Sequence, residues 1–283
     1  MIKVIKPGFF TTVQDMGRFG FQDYGVPTSG AMDQYSAKFA NALLNNDVND
    51  AVLEITMTGP ILEFQCHSFI CISGADMSPM LNGSPIKLNS LCAIKPQDVL
   101  SFGPLTYGLR SYLAIEGGFQ AEAKLKSRSM YRNITSKVKL EAGDYLKIME
   151  TMSMKTHKYA SLKFDLNLFT SNIVDVFKGP EYDQLSSEER KQLRDQVFTI
   201  SNLYDRMAYQ FNETFTNNLQ PIITSPVLPG TVQLTPSGNL IVLMRDCQTT
   251  GGYPRILQLK ESSINCLAQK FKGNSVRFHL LDQ

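Results

Sequence analysis

Apolar runs in this chain are short and quickly interrupted. Residues 51–56 (AVLEIT), 61–64 (ILEF) and 69–72 (FICI) are rich in β-branched and aromatic side chains and are bounded by turn formers. Residues 111–115, 173–177 and 240–244 repeat the pattern. A chain divided this way folds as many short strands, so the expected class is mainly β with a few helices, built as barrels or sandwiches rather than as a doubly wound sheet. Two segments break the pattern with helical periodicity. Residues 32–44 place Met32, Tyr35, Phe39, Ala40, Leu43 and Leu44 on one face, and residues 261–271 place Ile264, Leu267, Ala268 and Phe271 on another. A third, polar helix is expected over 187–196, capped by Ser186 or Ser187, with Glu188 and Glu189 in its first turn.

The chain has 283 residues, enough for one large domain or two ordinary ones. Residues 150–163 are polar and Met-rich with no clear period, which places a linker there and gives domains 1–155 and 156–283. Each half then holds strands, an amphipathic helix and a Gly-rich polar loop, the pattern a divergent duplication leaves. The 28 basic and 26 acidic residues are spread along the chain. A nucleic-acid surface needs a basic face to neutralise phosphates, and an anionic membrane surface asks the same, so neither partner is expected. Five cysteines, an odd number without CxxC spacing, read as thiols in a reducing compartment. The first residues lack an apolar signal core, and no stretch approaches the length of a membrane span. These features together point to the cytoplasm.

Two loops could carry chemistry. Residues 11–33 (TTVQDMGRFGFQDYGVPTSGAMD) hold four glycines and one proline, so the backbone must loop through unusual dihedrals. Gln14, Asp15, Arg18, Gln22 and Asp33 are spaced along it, and it runs into a helix N-terminus, where free N–H groups favour anions. A loop that wraps a carboxylate or phosphate and a loop whose Asp and Arg satisfy its own backbone fit equally well. Residues 246–255 (DCQTTGGYPR) follow an apolar strand. Gly251 and Gly252 permit close approach of a ligand, Gln248, Thr249 and Thr250 offer donors and acceptors, and Arg255 offers a planar fork. A tight hairpin with a packed Tyr253 is the bland alternative. Asp205–Arg206 reads as a local ion pair or as solvated surface, and Ser73–Gly74–Ala75–Asp76 as a β-turn. No Walker loop, no GxSxG elbow and no zinc-type Cys/His set occurs, and His67, His157 and His279 stand apart. A general base would have to be a carboxylate such as Asp15, Asp33, Asp205 or Asp246, or act through water.

Five blocks in order carry a resemblance. The 11–33 loop, GLRSYLAIEGGF, DRMAYQF, SPVLPGTVQLTPSGNLIVLM and DCQTTGGYPRI together resemble the biotin-dependent carboxyltransferase family, which includes allophanate hydrolase subunit 2 and the C subunit of 5-oxoprolinase. The resemblance implies two cyclophilin-like β-barrel modules. It also implies an ATP-dependent amidohydrolase that opens 5-oxoproline to glutamate, with two partners: a protein like the 5-oxoprolinase B subunit, related to allophanate hydrolase subunit 1, and the 5-oxoprolinase A subunit. The implied cofactor is ATP with magnesium, and covalent biotin is not expected. Carried onto this chain, the resemblance makes Asp15, Arg18 and Asp33 catalytic. Arg18, Arg206 and Arg255 supply cations, and Asp15 or Asp33 orients an arginine or a magnesium ion. Gln14, Gln22, Gln248, Thr249, Thr250, Tyr253 and Arg255 bind substrate, with Asp205, Arg206 and Asp246 as further candidates and no protein-bound metal. Where the family often reads DRMGYRL, this chain has Ala208 and Gln210, which puts the Asp205–Arg206 motif in doubt. Two other readings come with the family: the carboxyltransferase half of a urea carboxylase-like system, and a regulatory protein that antagonises a kinase inhibitor.

Overall fold

The computed structural model describes residues 1–152 and 163–281, so most of the expected linker, and the 155/156 boundary itself, lie outside the described residues. The chain forms two compact units, Met1–Arg18 with Ser29–Leu166, and Phe19–Thr28 with Asn167–Gln283. The 19–28 stretch of the first Gly-rich loop therefore belongs with the second unit.

In the first unit the short strands make two sheets. One has six strands in the order Tyr145–Leu146, Ile2–Lys6, Ile61–Phe64, Val99–Phe102, Pro79–Leu81, Ser84–Pro85. The other has five, in the order Phe10–Gln14, Val52–Thr56, Tyr107–Ile115, Ser68–Asp76, Leu91–Ile94. Period-two alternation sorts the second sheet's side chains. Leu53, Ile55, Ile70, Ile72, Leu113 and Ile115 enter a core shared with Ile2, Leu62, Phe64 and Leu100 of the first sheet. Their neighbours Val52, Cys71, Tyr112 and Ala114 face the other way, where Ala37, Ala40 and Leu44 cover them. That cover is the helix Gln34–Leu43, which starts two residues later than its apolar stripe suggests because Asp33 caps it. Residues 73–76 are not a β-turn but the end of strand Ser68–Asp76. Gly74 sits there at φ +92°, and a Cβ would lie 2.6 Å from the Arg110 carbonyl oxygen. The pairing with Tyr107–Ile115 slips at that point.

In the second unit seven strands close into a barrel. The order is Ile173–Lys178, Arg255–Leu259, Thr231–Leu234, Asn239–Leu243, Ala208–Thr214, Phe198–Tyr204, Ser275–Leu280, with the last pairing parallel to the first. Closure leaves no free sheet edge among these strands. Phe198, Phe211 and Phe278 fill part of the interior with ring centroids 5.3–5.9 Å apart. The helix Glu261–Ala268 buries Ile264, Leu267 and Ala268 but ends before Phe271, which is exposed. The polar helix Ser187–Asp195 carries a full capping box from Ser186 and Glu189. Among the described residues no helix is long and apolar enough to cross a membrane.

Candidate functional site

Strand Phe10–Gln14 delivers its last residue and the two that matter next into the interior of the first unit. Gln14, Asp15 and Arg18 are all buried. The Asp15 carboxylate accepts four hydrogen bonds: Gly17 N–H at 2.8 Å, Ser127 Oγ at 2.7 Å, Ser129 Oγ at 2.6 Å and Arg128 N–H at 2.6 Å. Arg18 donates from Nη2 to the Ser129 carbonyl, and Gln14 donates from Nε2 to the Met130 carbonyl at 3.3 Å and to Thr12 Oγ1 at 3.0 Å. One four-residue segment, 127–130, thus gathers all three. Gly30 closes the loop: at φ +92° its α-carbon lies against the backbone of 16–17, where a Cβ would sit 2.8 Å from Gly17 N.

Asp33 lies on the same loop but serves the helix. It caps Gln34–Leu43, accepting from Ser36 N–H at 3.0 Å and from the Ser36 hydroxyl, so its own carboxylate fills the N-terminus expected to attract an anion. Behind it lies a buried polar cluster that sequence reasoning missed. Asp33 N–H donates to Tyr112 Oη at 2.7 Å, Tyr112 donates to Glu54 Oε2 at 2.8 Å, and Met32 N–H donates to the same oxygen at 2.7 Å. Arg110 Nε stands 3.8 Å from Glu54 Oε1. Burial, then the charges of Glu54 and Asp33, push the Tyr112 phenol well above its usual 10. The signal for this cluster was a glutamate in the middle of the apolar strand VLEIT, since a carboxylate inside a strand core must be paired. Ser127 and Ser129 gave no signal at all.

The second unit holds the other candidates. Gln22 is a loop brace: Oε1 accepts from Gly20 N–H at 3.0 Å and Phe21 N–H at 3.1 Å, and Nε2 donates to Thr28 Oγ1 at 2.9 Å. Asp205 and Arg206 do not pair with each other. Asp205 Oδ1 accepts from the N–H groups of Met207 and Ala208, at 2.7 and 3.0 Å. Arg206 instead reaches Asp246, far along the chain, with two parallel bonds of 2.8 and 3.0 Å. Arg255 makes a second fork, on Glu181, at 3.0 and 2.8 Å, and also donates to the Pro226 carbonyl at 3.0 Å. Bonding to Arg255 holds the Glu181 carboxyl below its usual 4.5. Thr250 and Gly251 form a two-stranded ribbon with Ser225 and Pro226, leaving the Thr250 and Tyr253 side chains exposed, while the Thr249 carbonyl accepts from Val227 N–H at 3.0 Å. Gln248 Nε2 faces Gln233 Oε1 at 3.4 Å, and a Cβ on Gly251 would lie 2.3 Å from Gln233 Nε2. Gln233, buried in its strand, is a further residue the motif reading passed over.

Among the described residues no three of His, Cys, Asp and Glu group to hold a metal ion. A magnesium ion brought by a nucleotide would find Asp15 and Asp33 already engaged. The arrangement offers rigidly held arginines and carboxamides, with its carboxylates spent on backbone or arginine. The sequence matches a family model described as carboxyltransferase domain, subdomain A and B, over residues 24–280.

The chain belongs to this carboxyltransferase domain family.

It is 30% identical over 282 residues to the Escherichia coli protein named as the C subunit of 5-oxoprolinase, covering 98% of this chain and 90% of that one. It is 41% identical over 130 residues to urea amidolyase from Lachancea kluyveri, which is 46% of this chain and 7% of that protein. The solved structure of Kluyveromyces lactis urea amidolyase superposes with a TM-score of 0.89 at 26% identity, covering 99% of this chain and 19% of that one. The chain therefore spans nearly all of one relative and only a small part of the other two.

Proposed function

We propose that this carboxyltransferase-family chain is the C subunit of an ATP-dependent 5-oxoprolinase, acting with a B-subunit-like protein and an A subunit to convert 5-oxoproline to L-glutamate with ADP and phosphate. The observation that carries this reading is coverage. The likeness to the protein of that name runs across 98% of this chain and 90% of that one, whereas the urea amidolyase match takes up 7% of a much longer protein.

The chemistry fits what the side chains offer. Amide resonance protects the lactam carbonyl from water. Phosphorylation of its oxygen removes that resonance and creates a leaving group. The lactam oxygen attacks phosphorus without losing a proton, so this step asks for cations and positioning rather than for a free carboxylate base. In the candidate loops, Asp15, Asp33 and Asp205 are bonded to backbone N–H groups and Asp246 to Arg206, so a step that asks for no carboxylate base suits them. Arg18 is the cation held most deeply, and Gln248, Thr250 and Tyr253 are the substrate-facing candidates of the second unit, beside Arg255, whose guanidinium already bonds Glu181 and the Pro226 carbonyl.

The test is glutamate release from 5-oxoproline and ATP by this chain mixed with the A and B subunits, each omitted in turn. Glutamate formed only by the full set, with matching ADP, is the expected result. Arg18→Lys should lower kcat of that set while leaving the complex assembled. No glutamate from a folded, assembled set overturns the reading. The second reading, carboxyl transfer in a urea carboxylase-like system, draws on the higher identity of the 130-residue amidolyase match. Transfer of carboxylate from carboxybiotin to urea is the measurement that would bring it forward.

A further inference from the structure

The segment 127–130 has two faces. Ser127 and Ser129 are buried and turn their hydroxyls to Asp15. Arg128 and Met130, between and after them, line a cavity of 460 Å³ within the first unit. Its volume lies in the range of small-molecule sites. Phe119, Met130, Leu140 and Leu146 give it an apolar floor, while Gln120, Thr135 and Ser136 add hydrogen-bonding groups.

Its charges do not cancel. Arg128, Lys137 and Lys147 line it against Glu122 and Asp144. Lys137 is paired with Asp144. Glu122 is paired with Lys124 at 3.1 Å and accepts the Ser136 N–H at 3.0 Å. That leaves two cations without a bonded acidic partner among the described residues. Arg128 donates to the Ala121 carbonyl and, at 3.4 Å, to Gln120 Oε1, both uncharged acceptors. Asp50 is near enough to feel the Arg128 charge but makes no bond with it. Lys147 is exposed and makes no ion pair among the described residues. The lining side chains sum to one net positive charge, three cations against two carboxylates, which suits a monoanion. A planar carboxylate matches the guanidinium fork.

We propose that this cavity is a binding site for a small organic monocarboxylate, with its charge on Arg128 and Lys147 and its hydrocarbon part on the apolar floor, and that occupancy is transmitted to Asp15 through residues 127–130. The transmission is short. The Arg128 N–H that bonds Asp15 Oδ2 at 2.6 Å belongs to the residue whose side chain would hold the ligand. The Met130 carbonyl that accepts from Gln14 belongs to the residue that forms the floor. The site stands apart from the 5-oxoprolinase reading and does not depend on it.

The probe is benzoate, with benzamide as its uncharged counterpart, titrated into the intact 15N-labelled chain and followed by amide chemical shifts. Benzoate should give saturable shifts at 119–122, 128–130 and 135–147, followed by Ser127, Ser129 and Gly17, and benzamide should give none. Lys147→Glu, on an exposed side chain, should weaken benzoate about tenfold or more through loss of a charge-assisted contact, and Arg128→Gln should do the same. Absent or unsaturable shifts, equal shifts from benzamide, or full affinity in Lys147→Glu overturn the site. Saturable shifts that stop short of Ser127, Ser129 and Gly17 overturn the transmission.

Discussion

Replacing Asp15 with asparagine should destabilise the first unit severely while barely changing its shape. Each carboxylate oxygen accepts one backbone N–H: Oδ1 takes Gly17 and Oδ2 takes Arg128, at 2.8 and 2.6 Å. The Ser127 and Ser129 hydroxyls also donate to Oδ1. A hydroxyl can rotate to accept instead, but a backbone N–H cannot. Whichever way the asparagine amide is turned, its NH2 must face one of those two N–H groups. That leaves a part-buried donor unpaired, at about 1–3 kcal/mol if water does not reach it. The three remaining bonds lose their charge assistance, at about 1 kcal/mol each. The sum is about 4–6 kcal/mol, a large share of the 5–15 kcal/mol that holds a typical domain. Urea unfolding followed by circular dichroism reads it, with Asp205→Asn as the control. Both donors on Asp205 use Oδ1, which asparagine retains, and the site is exposed, so that change should cost no more than about 0.5 kcal/mol. An Asp15→Asn protein within about 1 kcal/mol of the parent, at unchanged denaturant slope, refutes the account of Asp15 as an anchor.

Gly30→Ala should lower the melting temperature by several degrees, since φ +92° and a Cβ 2.8 Å from Gly17 N allow the methyl no room, and an unchanged Tm would contradict the close approach. Glu181→Gln should flatten acid sensitivity. The Glu181 carboxyl is depressed when folded, so its pairing with Arg255 contributes fully above its ordinary 4.5 and is lost as pH falls through the lower folded value. Parent and variant should therefore differ most in stability near neutrality and converge in acid, and parallel curves from pH 7 down through that window would sink the idea. A double-mutant cycle of Arg206→Ala and Asp246→Ala should return a coupling of about 1–3 kcal/mol for the two-bond pair. Additive effects would mean that the fork seen between them does not hold in solution.

How far the fold could be read from the sequence depended on how local its causes were. Strand content was legible because β-branched runs and their turn formers are neighbours in the chain. The start of the polar helix was legible to the residue, since Ser186 and Glu189 form a box three positions apart, while its end came one residue early, at Asp195. The end of the last helix was misplaced because Phe271 continues the apolar stripe, yet the helix stops at Ala268 and the chain turns at Gly273, φ +89°. Pairings across the chain were out of reach. Asp205–Arg206 looked like an ion pair by adjacency, but side chains next to each other on a strand or turn point apart, and Arg206 found Asp246 through the barrel's own geometry. Ser127 and Ser129 lie over a hundred residues from Asp15. Nothing in their neighbourhood marks them, because two serines flanking an arginine are ordinary on any surface.

The same distinction explains why this chain's motif carboxylates sit where they do. Gly-rich loops leave backbone N–H groups without ladder partners, and a buried N–H must be paired. In this chain carboxylates repeatedly do that pairing: Asp15 for Gly17 and Arg128, Asp33 for Ser36, Glu54 for Met32, Glu181 for Arg255. A polar residue in a glycine-rich motif is then as much a consequence of the loop as a sign of a ligand. What separates the two roles is the number of bonds already made. Asp15 has four donors on two oxygens and could serve as a proton acceptor only by giving up part of its loop. Thr250 and Tyr253 are exposed beside a tightly packed Gly251, and on the proposed reading they would meet a substrate without breaking a side-chain hydrogen bond among the described residues. Changes at Asp15 should therefore appear first in stability, and changes at Thr250 and Tyr253 in KM.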